Sequence, residues 1–382
     1  MLRVKSMRMD YPFRPFTPFY SSESQKMKKE LKVWAMTCIA FWCLAPNSSK
    51  CQDSLSVRAL DEVVITADKF PRSSGNTGRV LIVIDSIEMQ RSGGKDLSQI
   101  LGEQAGVYVN GATSNPGKDK AVYLRGASTH QTLIMVDGIP VTDPSGVNGA
   151  IDLRLLPIGS VERIEILKGS QSTLYGSGAM GGVINIITKE GVDSSAFMQG
   201  LLSYGSYNSL DARLSGGVRL TPWARITVGL SRMSTSGFSE AKDTLNTNSF
   251  DNDAYENTAG FVKLHLTPVK GLTITPYYNL SEVKGDYDAG AFTDDPTAVY
   301  SANMQHFGVQ SRFETDRSQL SLLIGSTRTD RTFSSEFGMF NAVGNFFQSE
   351  TVWKYKLQPN FDVVGGISFQ RMSIDDETFP VN

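Results

Sequence analysis

Residues 162–189 read ERIEILKGSQSTLYGSGAMGGVINIITK. The stretch opens as a strand, with Ile164 and Ile166 on one face and Arg163 and Glu165 on the other. It turns at Gly169, passes Tyr175, then gathers Gly176, Gly178, Gly181 and Gly182 within seven residues. It closes on Val183-Ile184-Asn185-Ile186-Ile187-Thr188, a β-branched run apolar on both faces, as a strand covered on both sides requires. Gly176, Gly178 and Gly181 also spell GxGxxG, the spacing of a dinucleotide-binding turn. That turn needs a helix after it, because the helix N-terminus holds the pyrophosphate. Here the following residues are poor helix formers and good strand formers, and no Lys-Ser/Thr pair follows to make a phosphate loop. The nucleotide reading is set aside. The glycines are expected to permit close backbone approach or positive φ.

The surrounding chain has 382 residues, a formal net charge of −2, 20% charged residues and 35 glycines. A near-neutral balance makes no electrostatic case for nucleic acid. Glycine- and aromatic-rich composition suits β architecture better than helical bundles. Cys38, Cys43 and Cys51 all fall in the first 51 residues, where Lys28-Lys29-Glu30-Leu31-Lys32 precedes an apolar run over 33–45. A basic start and a short apolar core predict a signal peptide within residues 1–52, with Met27 the better start; the run is too short to span a bilayer. With that part removed, the mature protein has no cysteine chemistry. Cys51 does not fit a lipoprotein site, since Lys50 stands where a small residue is required.

Between this leader and the glycine run, the pattern is mixed α/β. Residues 79–85 (RVLIVID) predict a buried strand, Ser86 a cap for a short helix through Gln90, and Ser92 the opening of a second around 95–103, stopped by Gly106. Strands follow at 107–109, 121–126 and 133–141, with turns at Asn115-Pro116-Gly117 and Asp137-Gly138. Asp137 reads as a turn residue rather than a catalytic carboxylate.

From Ala196 onward the strands are amphipathic. Leu272, Ile274, Pro276, Tyr278 and Leu280 alternate with Thr273, Thr275, Tyr277 and Asn279, and 224–230 and 262–266 repeat the pattern. Strands are predicted near 196–204, 209–219, 224–236, 257–267, 272–284, 304–314, 319–333, 347–357 and 361–374. Tight links at 220–223, 268–271, 315–318 and 358–360 alternate with long polar loops at 237–256, 285–303 and 335–345. Short turns on one rim and long loops on the other mark a transmembrane barrel.

The segment 162–189 resembles the end of the plug domain of TonB-dependent outer-membrane receptors, in which a strand, a glycine turn, a Tyr-Gly pair and a GGVINIIT-like strand precede the barrel. Gly169-Ser170 stands where Gly-Pro is common, and Lys168 where Arg is usual. The resemblance runs from Asp61 to Lys189. It implies an α/β plug domain (71–190) followed by an antiparallel transmembrane β-barrel from 191 to 382, in the outer membrane of a Gram-negative bacterium. It also identifies Asp61, Glu62, Val63, Val64, Ile65, Thr66 and Ala67, within 53–70, as a TonB box. An inner-membrane energy-coupling protein would grip this segment by adding a strand. Too little chain precedes it for a signalling domain.

The implied function is energised import of a scarce, bulky nutrient. No nucleophile–base pair is evident, since His130, His265 and His306 lie far apart in sequence. A non-transporting surface adhesin or enzyme barrel is the alternative from another class, and the plug and TonB box argue against it. Within the family, Gly237-Phe238, the run Asp251-Asn252-Asp253-Ala254-Tyr255 and Gly285-Asp286-Tyr287-Asp288 look most like cobalamin receptors, ahead of ferric siderophore or haem receptors. That branch implies Ca²⁺ held in the long loops by Asp251, Asp253, Tyr287, Asp288 and Asp294. Ser239-Glu240 stands where a further aspartate is usual. Plugged barrels close with about 22 strands, and an open half-barrel leaves an unpaired edge in lipid. Nine strands and an end at Phe379-Pro380-Val381-Asn382 therefore lead us to expect a truncated product or fragment.

Overall fold

Val183-Ile184-Asn185-Ile186-Ile187 lies at the centre of a five-stranded sheet, flanked on both sides, with all but Ile187 buried. The structure is a computed structural model that describes residues 64–65, 69–70, 72–73, 80–191, 196–244, 250–336, 338–358 and 361–380. The chain divides into Met1–Asp61 and Glu62–Asn382. The expected signal peptide, and Asp61, Glu62, Val63, Thr66 and Ala67, lie outside the described residues.

The second unit begins with β1 (Val64–Ile65) and β2 (Arg72–Ser73), a two-residue antiparallel ladder. The plug strands are β3 (Val80–Ile84), β4 (Val107–Asn110), β5 (Ala121–Leu124), β6 (Thr132–Val136), β7 (Ile139–Pro140), β8 (Val161–Lys168) and β9 (Gly182–Thr188). Their main sheet has the order β3-β8-β9-β6-β7, parallel only between β6 and β9; β4 and β5 pair separately. Ile84, Ile164, Ile166 and Ile184 are fully buried there. Glu165, expected on the polar face of β8, is also buried, and its carboxylate accepts a 2.9 Å hydrogen bond from Arg163.

Gly182 carries φ +146°, and a Cβ there would collide with the Leu167 carbonyl and the Leu124 side chain. Only glycine lets β9 start this close to its neighbours. The chain reaches Gly182 through a helical turn, α3 (Ser172–Tyr175), and a 3-10 turn (Ser177–Ala179), which hydrophobic periodicity does not reveal in so few residues. The two earlier helices are α1 (Ser86–Arg91) and α2 (Leu97–Gly102), and both expected caps need correction. Asp85, not Ser86, caps α1 by accepting from the Ile87 and Glu88 amides at 2.9 and 2.8 Å. Asp96, not Ser92, opens α2 in a capping box with Gln99, while Ser92 closes α1 onto the Glu88 carbonyl. In each case a carboxylate one position before or four positions after the serine is the better acceptor for helix N–H groups.

The barrel wall follows as a meander. Its strands are β10 (Ala196–Gly205), β11 (Ser209–Thr221), β12 (Ala224–Thr235), β13 (Tyr255–Val269), β14 (Leu272–Asp286), β15 (Val299–Glu314), β16 (Ser318–Ser335), β17 (Gly338–Gln358) and β18 (Phe361–Pro380). Each pairs antiparallel with the next, and the sheet does not close, leaving β10 and β18 as edges. All nine expected strands are present. The expected loop at 335–345 is instead paired ladder, with Phe333 opposite Phe340 and Asp330 opposite Val343. Likewise β15 starts at Val299, not 304, which shortens the loop expected at 285–303 to 287–298. Ser301, Asn303, Gly338, Asn341, Gly344 and Asn345 are common loop residues, so composition alone reads these strand ends as loop. Their inner faces betray them: Tyr300, Ala302, Met304, Ala342 and Phe346 are buried.

Outward, Val228, Val262, Tyr278, Phe307 and Phe347 form a row across paired strands, interrupted by Ser326. Trp223, Phe313 and Trp353 mark the short-turn rim. An apolar band with aromatic girdles is the lipid-facing surface of a barrel. Among the described residues no helix is long and apolar enough to cross a membrane.

Candidate functional site

Three groups of residues join the plug to the wall, and the predicted site residues fall in the first and third. The first is the N-terminal segment. Val64 and Ile65 of the expected TonB box are engaged in the ladder with Arg72 and Ser73. Just beyond, Lys69 donates to both oxygens of Glu350 on β17 at 2.8 Å and sits 4.1 Å from the centre of the Tyr175 ring. Burial draws the Lys69 pKa below its ordinary value, against the opposing pull of Glu350. Next to it, Phe70 is buried under the Lys354 ammonium, 5.7 Å from the ring centre. The segment after the box is thereby tied to the inner wall.

The second group lies deeper. Asp137 is a turn residue as expected, with φ +48°. Its carboxylate also accepts from the Thr188 amide at 3.0 Å, the Thr188 hydroxyl at 2.5 Å and the Lys263 ammonium of β13 at 3.2 Å. Asp143 accepts from Arg331 Nε of β16 at 2.7 Å. Tyr277 donates to the Val136 carbonyl at 3.0 Å and contacts His306 Nε2 at 2.9 Å. Asn257 donates to the Arg154 carbonyl at 2.9 Å. These contacts join residues far apart in the chain, so no local pattern announces them. Of the three histidines, His306 is a buried wall residue bonded to Thr327, and His265 pairs with Glu190 of the plug's last turn.

The third group sits on the long-loop rim. The β12–β13 loop and the β14–β15 loop converge because the β13–β14 hairpin returns the chain to that rim. Asp251, Asp253 and Asp288 each bring a carboxylate oxygen to within 4.8 Å of one another. Asp253 is 2% exposed. Its pKa is pushed up to about 7, by burial first and then by the charges of Asp288, Glu240 and Asp251, despite a bond from the Glu240 amide that lowers it. Asp288 accepts from the Ser239 hydroxyl at 3.1 Å and the Ala241 amide at 2.5 Å. Asp294 stands alongside and accepts from the Asp251 amide at 3.2 Å. Tyr287 turns its ring edge-on to Phe333, with centres 6.2 Å apart, and feels the charge of Asp295. Asp295, in the same acidic loop, is buried with Oδ2 lacking a hydrogen-bond partner among the described residues, and its amide donates to Asp288 at 3.3 Å. The Glu240 carboxylate points elsewhere, to Lys118 and Ser114 of the plug at 2.9 and 3.1 Å.

Comparison with known proteins agrees with this architecture. The family model described as "TonB-dependent Receptor Plug Domain" matches residues 73–183. The chain is similar to the vitamin B12 transporter BtuB of Photobacterium profundum, with 26% identity over 324 residues that cover 83% of this chain and 51% of the relative. Against the vitamin B12 transporter BtuB of Vibrio cholerae, identity is 32% over 183 residues, covering 47% of this chain and 28% of the relative. The chain thus spans at most about half the length of these curated relatives. Among solved structures, the ferric enterobactin receptor PfeA of Pseudomonas aeruginosa superposes with a TM-score of 0.62 at 18% identity, over 82% of this chain and 51% of that one. The ferric yersiniabactin uptake receptor FyuA of Yersinia pestis gives 0.62 at 19%, over 81% and 51%. At such identities these two speak for the fold alone. Plug, incomplete barrel and relatives agree: residues 73–183 match the plug domain of TonB-dependent receptors, and the chain as a whole is similar to transporters of that kind.

Proposed function

We propose that the receptor to which this chain contributes takes up a corrinoid, cobalamin in the first place, by energised transport across the outer membrane. The observation that carries the substrate is the carboxylate cluster on the extracellular rim, together with similarity to vitamin B12 transporters. The plug fills the lumen and bars free diffusion. The exposed rim captures the solute. The inner-membrane TonB protein then grips residues 61–67 by strand addition, and the plug rearranges to release the solute inward.

Calcium fits the rim. Carboxylates held this close repel unless a cation joins them, and Ca²⁺ accepts about six to eight oxygens from flexible loops. Asp251, Asp253 and Asp288 supply the core of that set, with Asp294 and the unpartnered oxygen of Asp295 beside it. When bound, the ion neutralises the cluster and holds the two loops together. The chain's own part is to bring the carboxylates to one place and orient them through the Glu240, Ser239 and Ala241 donors.

Two measurements test this reading. Deleting residues 61–67 is expected to abolish uptake and leave surface binding intact; unchanged uptake would refute the energised mechanism. Calorimetry is expected to show Ca²⁺ binding that tightens corrinoid affinity and that is lost in Asp288→Ala. If Ca²⁺ has no effect and ferric siderophores compete better than cobalamin, the corrinoid reading falls to the siderophore alternative.

A further inference from the structure

The apical turn of the plug reaches up between the two ends of the β12–β13 loop, and Asn115 lies at the contact. It is fully buried. Its side-chain amide donates to the Phe238 carbonyl at 2.7 Å and to the Asp253 carbonyl at 2.9 Å, so both protons go to the loop. Its own Oδ1 accepts from the Gly117 amide at 3.3 Å. One plug side chain therefore holds the segment entering the loop and the segment leaving it. A second tie lies alongside. The Glu240 carboxylate takes Lys118 at 2.9 Å and Ser114 at 3.1 Å, while the Glu240 amide donates to Asp253 Oδ2 at 2.7 Å. Gly237 passes so close to Asp253 that a Cβ there would strike the Asp253 carbonyl and lie 3.0 Å from Asn115 Nδ2. Moving Phe238, Glu240 or Asp253 away from the plug apex would break these bonds.

We infer that Asn115, assisted by Lys118, is a positioning residue of the rim site: the plug apex fixes where Asp253 stands, and so sets the rim's affinity for a divalent cation. This rests on the calcium reading given above. The physical ground is that the carboxylates around Asp253 repel one another, and loops free to separate would do so. The Asn115 amide holds them together from below through buried hydrogen bonds that water cannot replace in place. Coupling of this kind is reciprocal. A cation on the rim steadies the plug apex, and displacement of the apex loosens the cation.

The test is calorimetric titration of the detergent-purified protein with CaCl₂ alone, in wild type, Asn115→Ala and Lys118→Met. Lys118 is half exposed, so the second variant keeps a folded control if the first unfolds. Asn115→Ala is expected to weaken Ca²⁺ binding about tenfold, and Lys118→Met about threefold. A second readout separates coupling from simple loss of structure. Ca²⁺ is expected to slow amide exchange across residues 111–119 in wild type, and to do so less in Lys118→Met. If wild type binds Ca²⁺ and both variants match it within twofold, the coupling is refuted and the calcium site stands. If wild type binds no Ca²⁺, the calcium reading fails and the coupling with it.

Discussion

Replacing Lys69 by Met tests whether the segment behind the TonB box is held to the barrel wall by charge. The Lys69 and Glu350 side chains are 11% and 10% exposed, so the pair is largely desolvated. Removing one partner leaves a buried carboxylate uncompensated, at a cost of about 3–5 kcal/mol. The lost contact with the Tyr175 ring adds about 0.5–1 kcal/mol. The cost falls locally, because the β1–β2 ladder has only two residue pairs to resist opening. At the lower figure of ~3 kcal/mol, the open form gains about a hundredfold in population. Hydrogen exchange read by mass spectrometry on peptides spanning residues 64–73 is the assay, and exchange there is expected to accelerate by about that factor. Glu350→Gln alone should accelerate it less, and the double variant should cost less than the sum of the two singles. The reasoning is refuted if both singles exchange within threefold of wild type, or if their effects add.

Two other substitutions probe the plug. Lys263→Met removes the only barrel cation bonded to Asp137 among the described residues and leaves the Thr188 donors in place; a loss of about 2–3 kcal/mol is expected, read as a lower urea midpoint for plug unfolding, and an unchanged midpoint would assign the anchor elsewhere. Gly182→Ala forces a Cβ into the Leu167 carbonyl at φ +146° and is expected to cost more than about 3 kcal/mol; folded yield equal to wild type would show that β9 can shift to make room.

The strands of the wall were legible because alternation at 224–230, 262–266 and 272–280 was set between regularly spaced turn residues. The central plug strand was legible for the opposite reason, being apolar on both faces and preceded by crowded glycines. Where the reading erred, the competing signal was local and equal in kind. Ser86 and Asp85 are both capping residues one position apart, and only the backbone decides which faces the helix N–H groups. The ladder over 338–345 was hidden because Gly338, Asn341, Gly344 and Asn345 are turn-forming residues that read as a loop. The loop aspartates were found by resemblance, and the fold brings Asp251, Asp253 and Asp288 together. Asn115 was read only as a turn residue. Its partners lie 123 and 138 residues away, a distance over which no spacing rule carries information.

The order of strands in the plug sheet also has a mechanical meaning. β3 is the first of its strands in the chain and also an edge, bonded only to β8 through the pairs Val80–Lys168 to Ile84–Ile164. A pull arriving from the N-terminus therefore meets the β1–β2 ladder, then the Lys69 tie, then a strand that can leave without breaking any other ladder. Extracting residues 64–84 would let out about 70 Å of extended chain, while β8, β9, β6 and β7 stay joined to one another. The stopper in this lumen is wound so that its free end unreels first, and its centre, the GGVINIIT strand, is the last turn on the spool.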